Sequence, residues 1–418
     1  MKDVAGQRGA QGRNFTLAML TLIYIFNFMD RQIMSVLAEP IKRDLGLTDS
    51  QLGLLTGFMF ALFYTSFGVP VAWLADRTRR IWVIAGACAL WSGFSALCGL
   101  ATSFVTMAAA RVGVAVGEAG GVPPSYSLIA DLFPPQSRAR ALALYSLGVP
   151  LGIGVGTAAG GWIAASFGWR MAFFLVAAPG IFLSLLLILF VREPERGRFD
   201  DRAAVSHAPP SLPTAIALFL RTRSLMLVAL ACALGGFCCY GLMGWLAAYL
   251  LRVKGMSLNE IGSWLSITLA VGMGLGIWIS GALADRFGPR DRRAYAYIPG
   301  VAMLLAAPLL IVAINIGDWR LALPVFGALL GLSIFYLAPS VAVVQQLVGA
   351  EQRSTASAML LLCLNLVGLG GGPLFLGMVS DLAHPTYGDQ SLRVAFLALS
   401  PVFVLAAFAN WAAARVLK

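Results

Sequence analysis

Apolar runs of about twenty residues recur along the whole chain, and they limit how it folds more than any other feature. They occupy residues 15–37, 52–74, 81–101, 104–130, 139–165, 169–191, 224–251, 259–283, 294–315, 320–347, 354–381 and 392–416. A helix needs about 20 such residues to cross a bilayer. Twelve spans with short loops fill the 418 residues. The sequence therefore predicts an all-α membrane protein with no separate soluble domain.

The charge content excludes several other classes of protein. Only 12 % of the residues are charged, against about 25 % in soluble domains. The net charge of +11 is spread over many short loops and forms no single basic patch, so no nucleic-acid partner is expected. The six cysteines lie inside apolar runs without metal-ligand spacing. We expect no metal and no other cofactor. No nucleophile–base pair lies at membrane depth, so no enzyme is expected.

The basic residues of the loops predict the orientation in the membrane. Alternate loops, together with both termini, hold 21 of the 30 Lys and Arg, whereas the loops on the opposite side hold seven. Lys and Arg accumulate on the cytoplasmic side of membrane proteins. Both termini are therefore predicted to be cytoplasmic, which suits a bacterial inner membrane.

The two sets of six spans are related by an internal repeat. LADR at 74–77 recurs at 283–286 after a shift of 209 positions, and Pro124-Ser125 recurs as Pro339-Ser340 after a shift of 215. We divide the chain into a first half at 1–191, a cytoplasmic linker at 192–223 and a second half at 224–418. Duplicated halves with a cavity between them are typical of secondary transporters.

The loop after the second span of each half carries a motif that identifies a family. It reads GALADRFGPRDRR from Gly281 and AWLADRTRR from Ala72, where two glycines of the full pattern are replaced. These motifs resemble the cytoplasmic motif of the major facilitator superfamily. NFMDRQIMSVL from Asn27 and GEAGGVPPSYSLIADLFPPQSRARALALYSLGVPLG from Gly117 are similar to its Spinster-like group. The resemblance implies the major facilitator fold, with twelve transmembrane helices in two pseudo-symmetric six-helix halves, and alternating access.

Four ionisable residues stand well inside predicted spans, away from their ends, where each costs roughly 2.5–3.5 kcal/mol on insertion scales. They are Asp30, Arg31, Arg111 and Glu118. Arg111 and Glu118 are seven residues apart, so they share one face of the fourth span. The family fold implies that the first span faces them. The matching positions in the second half are Cys239, Tyr240, Phe326 and Ser333, so helix architecture does not require charge there.

This group of charges suits proton coupling. Burial favours a neutral carboxyl, whereas an adjacent guanidinium favours the ionised form, so a carboxylate gains a proton when its Arg moves away. We predict Glu118 as the main proton carrier and Asp30 as the second, since Asp30 has Arg31 as its immediate neighbour. A static buried ion cluster is the alternative. His207 and His384 lie in predicted loops, which excludes a histidine relay through the membrane.

The predicted substrate site combines charged and apolar walls. Arg31 and Arg111, with Asn27 beside them, are assigned to substrate binding, because a guanidinium offers paired donors to phosphate or carboxylate. The candidate cavity spans of the second half hold Tyr240 and Asn365 and few other strong hydrogen-bonding groups. An amphiphilic, anionic or zwitterionic lipid-like substrate fits such a cavity. Lipid-facing or packing roles are the alternative for the apolar residues.

Four further charges are assigned to gating, because they lie at predicted cytoplasmic helix ends: Asp76, Arg77, Asp285 and Arg286. The sequence as a whole predicts a proton-coupled secondary transporter. We expect a monomer whose partners are the bilayer, protons and a small-molecule or lipid substrate. Two rival functions stay open, namely proton-linked transport of small organic acids and, from another class, a channel or lipid scramblase.

Overall fold

Helices make up all the regular structure of residues 2–199, 219–348 and 353–417, the part of the chain that the computed structural model describes. Ten helical stretches in it are long and apolar enough to cross a membrane. One of them, Thr355–Val416, has 62 residues and would be about 93 Å long at 1.5 Å per residue. That is far longer than the ~30 Å hydrocarbon core. The stretch overlaps the two predicted spans 354–381 and 392–416. Together with α1 these stretches account for the twelve, and the all-α membrane fold is confirmed.

The helices of the first half of the sequence are α1 Lys2–Val36, α2 Ala38–Leu45, α3 Asp49–Gly53, α4 Met59–Arg77, α5 Arg80–Gly99, α6 Phe104–Glu118, α7 Val122–Leu132, α8 Pro135–Ser146, α9 Gly148–Phe167 and α10 Trp169–Phe190. The helices of the second half are α11 Arg223–Arg252, α12 Leu258–Glu260, α13 Ser266–Phe287, α14 Ala294–Asn315, α15 Trp319–Ser333, α16 Leu337–Leu347, α17 Arg353–Cys363, α18 Gly372–Tyr387, α19 Ser391–Leu397 and α20 Leu399–Val416. Short π-helical stretches connect α3 to α4, α12 to α13 and α17 to α18.

The repeat in the sequence produces the same local structure twice. Gly46 and Gly255 both have positive φ, +64° and +69°, where a side chain would be strained. Two residues later, Thr48 and Ser257 each close a capping box that starts the next helix. A π-helical stretch follows each box. The equivalent turns therefore begin the second span of each half in the same way.

The fourth span of each half is broken at the same point. In the first half α6 has 15 residues and α7 has 11, and in the second half α15 and α16 have the same two lengths. Pro123 lies in the first turn of α7, where its missing N–H costs nothing. The predicted span at 104–130 is thus two helices, and Glu118 is the last residue before the break.

The described helices pack into two units. The first comprises Met1–Met34 and Phe63–Ser206, and the second comprises Ser35–Leu62 and His207–Lys418. Within the first, α5 packs on α6 and α10; within the second, α14 packs on α20, and α3 packs on α18. The predicted halves and linker stay a prediction. Residues 200–218 of that linker, His207 among them, lie outside the described residues.

Candidate functional site

Two helices of the first unit carry the four intramembrane charges. Asp30 and Arg31 lie near the end of α1, and Arg111 and Glu118 lie two turns apart on α6. Asp30 and Arg111 are each 2 % exposed, and Glu118 is completely buried. The structure brings all four side chains together, which agrees with the grouping expected from the sequence.

The charges pair crosswise between the two helices. Nε of Arg31 donates a hydrogen bond to Oε2 of Glu118, and Nη1 of Arg111 lies 3.8 Å from Oδ2 of Asp30. Ser95 on α5 donates its hydroxyl hydrogen to Oδ1 of Asp30. Two acids and two guanidiniums leave no net charge in the cluster, so mutual attraction offsets part of the cost of burial.

Arg31 differs from the other three charges because its side chain is 21 % exposed. Its guanidinium carbon lies 4.7 Å from the centre of the Tyr64 ring and 5.1 Å from that of Phe28. Aromatic faces attract a guanidinium and hold it in a fixed plane. Arg31 therefore faces a buried carboxylate on one side and accessible space on another.

Several buried oxygens near this cluster accept no hydrogen bond from the residues that the structure describes. They are Oε1 of Glu118, Oδ2 of Asp30, Oδ1 of Asn27 and Oε1 of Gln32. A buried polar atom without a partner is costly and is uncommon in native proteins. Oδ2 of Asp30 still faces Nη1 of Arg111 at 3.8 Å. Oε1 of Glu118 is suited to a bound proton, and the amide oxygens of Asn27 and Gln32 are suited to a donor group of a ligand.

Close helix contacts hold the two charged helices in place. A Cβ on Gly117, next to Glu118, would lie 2.6 Å from the backbone nitrogen of Trp91 on α5. A Cβ on Gly156 of α9 would lie 2.8 Å from the Cα of Met29, next to Asp30. Small residues let helix backbones approach this closely. The cluster thus sits where α6 meets α5 and where α9 meets α1.

The second half carries no charge at the matching positions. Cys239, Phe326 and Ser333 are all buried in the second unit, each at most 1 % exposed. Tyr240 is half-buried on α11, and Asn365 is half-buried in the π-helical stretch Leu364–Gly371, which packs against α11. The structure therefore places both of these predicted substrate residues on neighbouring elements.

The four predicted gating residues are all exposed at helix ends: Asp76, Arg77, Asp285 and Arg286. The guanidinium of Arg196 donates to the backbone carbonyls of Ala75 and Asp76, which closes the end of α4. Arg77 stacks on Trp73, and Arg286 on Phe287.

Beside this helix end, Arg80 forms a buried ion cluster that the sequence did not predict. Its Nη1 lies 2.5 Å from Oδ2 of Asp131, and its Nε lies 3.0 Å from Oε1 of Glu193. Arg80 is 2 % exposed. These contacts attach the chain that follows α10 to α5 and α7.

A second ion network, also absent from the sequence predictions, lies in the second unit. Arg252 at the end of α11 donates to the carboxylates of Glu39 and Asp49 at 2.7–3.0 Å. Lys42 lies 2.6 Å from Asp49, and Asp381 accepts hydrogen bonds from the first backbone N–H groups of α3. We call these five residues the Arg252 network. Four of its members lie at or near helix ends, namely Glu39, Lys42, Asp49 and Arg252, whereas Asp381 lies within α18.

In the described part of the chain, no three or more His, Cys, Asp or Glu side chains lie close enough together to hold one metal ion. The five described cysteines that are fully buried, Cys88, Cys98, Cys232, Cys238 and Cys239, pack as small apolar side chains.

Comparisons with known proteins agree with this architecture. The family model of the Major Facilitator Superfamily matches residues 20–371. An MFS-type efflux pump of Mycolicibacterium smegmatis is 35 % identical over 420 residues, which cover 98 % of this chain and 95 % of the relative. Protein spinster homolog 1 of Mus musculus is 28 % identical over 424 residues, which cover 94 % and 78 %.

A solved structure matches as well. The crystal structure of a bacterial homologue of the human lysosomal transporter Spinster, inward-facing and unoccupied, is 32 % identical and superposes with a TM-score of 0.88, covering 97 % of this chain and 98 % of that one. These relatives are transporters rather than enzymes. The chain therefore belongs to the major facilitator superfamily, as an integral membrane secondary transporter of its Spinster-like group.

Proposed function

We propose that this protein is a proton-coupled carrier of an anionic or zwitterionic amphiphile that works by alternating access. The contact between Arg31 and Glu118 carries the proposal, because it joins a part-exposed guanidinium to a completely buried carboxylate. An anionic headgroup that binds Arg31 competes with Glu118 for the same donors. Glu118 then loses its counter-ion and takes up a proton.

This competition couples binding of the proton at Glu118 to binding of the headgroup at Arg31. Protonation of Glu118 frees Arg31 for the headgroup, and the headgroup favours protonation of Glu118, so each ligand strengthens the binding of the other. Asp30 keeps Arg111 and Ser95 as partners, which suits a carboxylate that stays ionised. Proton and anion are then carried together across a bacterial inner membrane by a monomer with both termini in the cytoplasm.

The apolar character of the second unit supports a lipid-like substrate over a small hydrophilic one. Three of the four positions that match the charged residues, Cys239, Phe326 and Ser333, are buried and apolar or small there. Tyr240, the fourth, is half-buried, and it and Asn365 are the predicted polar contacts. A sugar or other polyol would need several converging hydrogen-bonding side chains. An acyl chain needs none.

Proteoliposomes test the proposal. Lysophosphatidylglycerol and a set of organic acids are added separately, and proton movement is followed with a trapped pH-sensitive dye. We expect the lysolipid to drive proton uptake in the wild type. Glu118→Gln should keep substrate exchange but lose this proton movement, because the neutral amide cannot titrate.

Glu195→Gln is the matched control, since Glu195 is an exposed carboxylate on the loop after α10. Proton movement that persists in Glu118→Gln would remove Glu118 from coupling. Proton movement with organic acids alone would favour the organic-acid carrier, and flux without saturation or exchange would favour a channel or scramblase.

A further inference from the structure

A long cavity lies on the wall of the first unit, between α1 and the helices α8 and α9. Its volume is about 820 Å³, and all of its lining residues belong to the first unit. Arg13 and Arg140 line it near the start of α1's apolar run and in the second turn of α8, and Leu22 and Leu151 line it further along. The cavity is separate from the charge cluster, since Arg13 precedes Arg31 by 18 residues of α1, or about 27 Å.

The charged part of this cavity has two guanidiniums and no acid among its lining residues. Arg13 lies over the ring of Phe133, 4.8 Å from the ring centre. Its Nε is buried and donates no hydrogen bond to any described residue. Arg140 is exposed. A pair of cations with an unused buried donor is complementary to an anion such as a phosphate.

The rest of the cavity is an apolar wall. It follows α1 from Arg13 to Ile25, a distance of about 18 Å, which slightly exceeds half of the ~30 Å hydrocarbon core. Leu144 on α8, Leu151 on α9 and Leu147 between the two helices are 45–50 % exposed. A free phosphate would use only the charged part of such a cavity. An acyl chain matches the remaining length.

We propose that this cavity binds one anionic phospholipid of the surrounding bilayer, with its phosphate between Arg13 and Arg140 and an acyl chain along the apolar wall. Arg13 lies just before the apolar run of α1, and Arg140 lies near the start of the apolar stretch Gln136–Phe167, which is the depth of lipid headgroups. Exposed arginines at that depth also reach towards any headgroup or water. The experiment therefore compares the arginines of this cavity with arginines elsewhere on the protein surface.

Native mass spectrometry of the purified full-length protein counts bound lipid during titration with phosphatidylglycerol, phosphatidylcholine or inorganic phosphate. We expect one phosphatidylglycerol to bind at least about tenfold more tightly than phosphatidylcholine, and phosphate not to displace it. The double variant Arg13→Gln/Arg140→Gln should weaken that binding about 30-fold, because it removes the attraction of two basic residues for an anionic lipid at the membrane surface. Leu147→Ser should weaken lipid binding and leave any phosphate binding unchanged.

The pair Arg290→Gln/Arg292→Gln is the control, because it removes the same charge from an exposed loop and should leave affinity unchanged. Equal affinity for the two lipids, or equal loss in both double variants, would overturn the proposal. Displacement of the lipid by millimolar phosphate would assign the site to a free anion instead. Melting midpoints of all variants confirm that they are folded.

Discussion

Replacing Arg252 by Gln breaks the Arg252 network of the second unit. The Arg252 guanidinium makes four hydrogen bonds at 2.7–3.0 Å to Glu39 and Asp49, whose side chains are 8 % and 1 % exposed. Removing one partner of such a buried pair costs about 3–5 kcal/mol, because it leaves a charge without its counter-ion. Lys42 still faces Asp49 at 2.6 Å, so we expect the lower end of that range.

Thermal melting of the purified protein measures the effect. The unfolding entropy of about 2.1 cal/mol/K per residue, taken over 418 residues, converts a loss of about 3 kcal/mol into a fall of about 3 °C in the melting midpoint. Arg320→Gln is the matched control: Arg320 lies 3.8 Å from Asp318, and the two side chains are 68 % and 47 % exposed. An exposed pair of this kind contributes ~0–1 kcal/mol, so the control should melt close to the wild type.

A double variant gives the strictest test of the Arg252 network. Asp49→Asn combined with Arg252→Gln removes both members of one buried pair, so the combined loss should be smaller than the sum of the two single losses. Additive losses, or an Arg252→Gln protein that melts together with the Arg320→Gln control, would refute the assignment of a strong buried network here.

Three further substitutions have clear expected outcomes. Gly117→Ala puts a Cβ 2.6 Å from a backbone nitrogen of α5 and should destabilise by about 1–3 kcal/mol. Gly93→Ala meets nothing within 4 Å, so equal melting midpoints for the two variants would contradict the close contact. Arg80→Gln leaves the carboxylates of Asp131 and Glu193 without their buried counter-ion, whose side chain is 2 % exposed, and should lower the free energy of unfolding by about 3 kcal/mol. Arg79→Gln is the control, because the Arg79 side chain is 66 % exposed and lies 4.0 Å from the carboxylate of Glu193. It should lower the free energy of unfolding by less than about 1 kcal/mol. Similar losses in Arg79→Gln and Arg80→Gln would argue against a buried cluster. Arg31→Lys keeps the charge but loses the planar donor pair, so lysophosphatidylglycerol should bind about tenfold more weakly in a calorimetric titration. An unchanged Kd would count against headgroup pairing.

The membrane architecture could be predicted because hydropathy reports it directly. Each span has to be apolar over about 20 residues, and the same constraint made Asp30, Arg31, Arg111 and Glu118 stand out. The pairing within that group could not be predicted in the same way. Arg31 meets Glu118 rather than its chain neighbour Asp30, since adjacent residues of a helix point in different directions. The partner is decided by which helix packs alongside.

The Arg80 ion cluster and the Arg252 network could not be predicted from hydropathy. Arg252 and Glu39 lie at helix ends, where a charge is cheap to keep and therefore carries no signal. They are 213 residues apart in the chain, and no local pattern joins them. The break between α6 and α7 has a visible local cause in Gly120-Gly121 and the following prolines, although the apolar run across it reads as one span.

The contact between Asp49 and Arg252 also has a consequence for biosynthesis. The two residues are separated by 203 positions, so at 5–20 residues per second the ribosome needs about 10–40 s to add the second after the first. During that delay the segment Ser35–Leu62 has left the translation machinery without the helices on which it finally packs. The segment therefore makes its mature contacts only after both α11 and α18 have been synthesised.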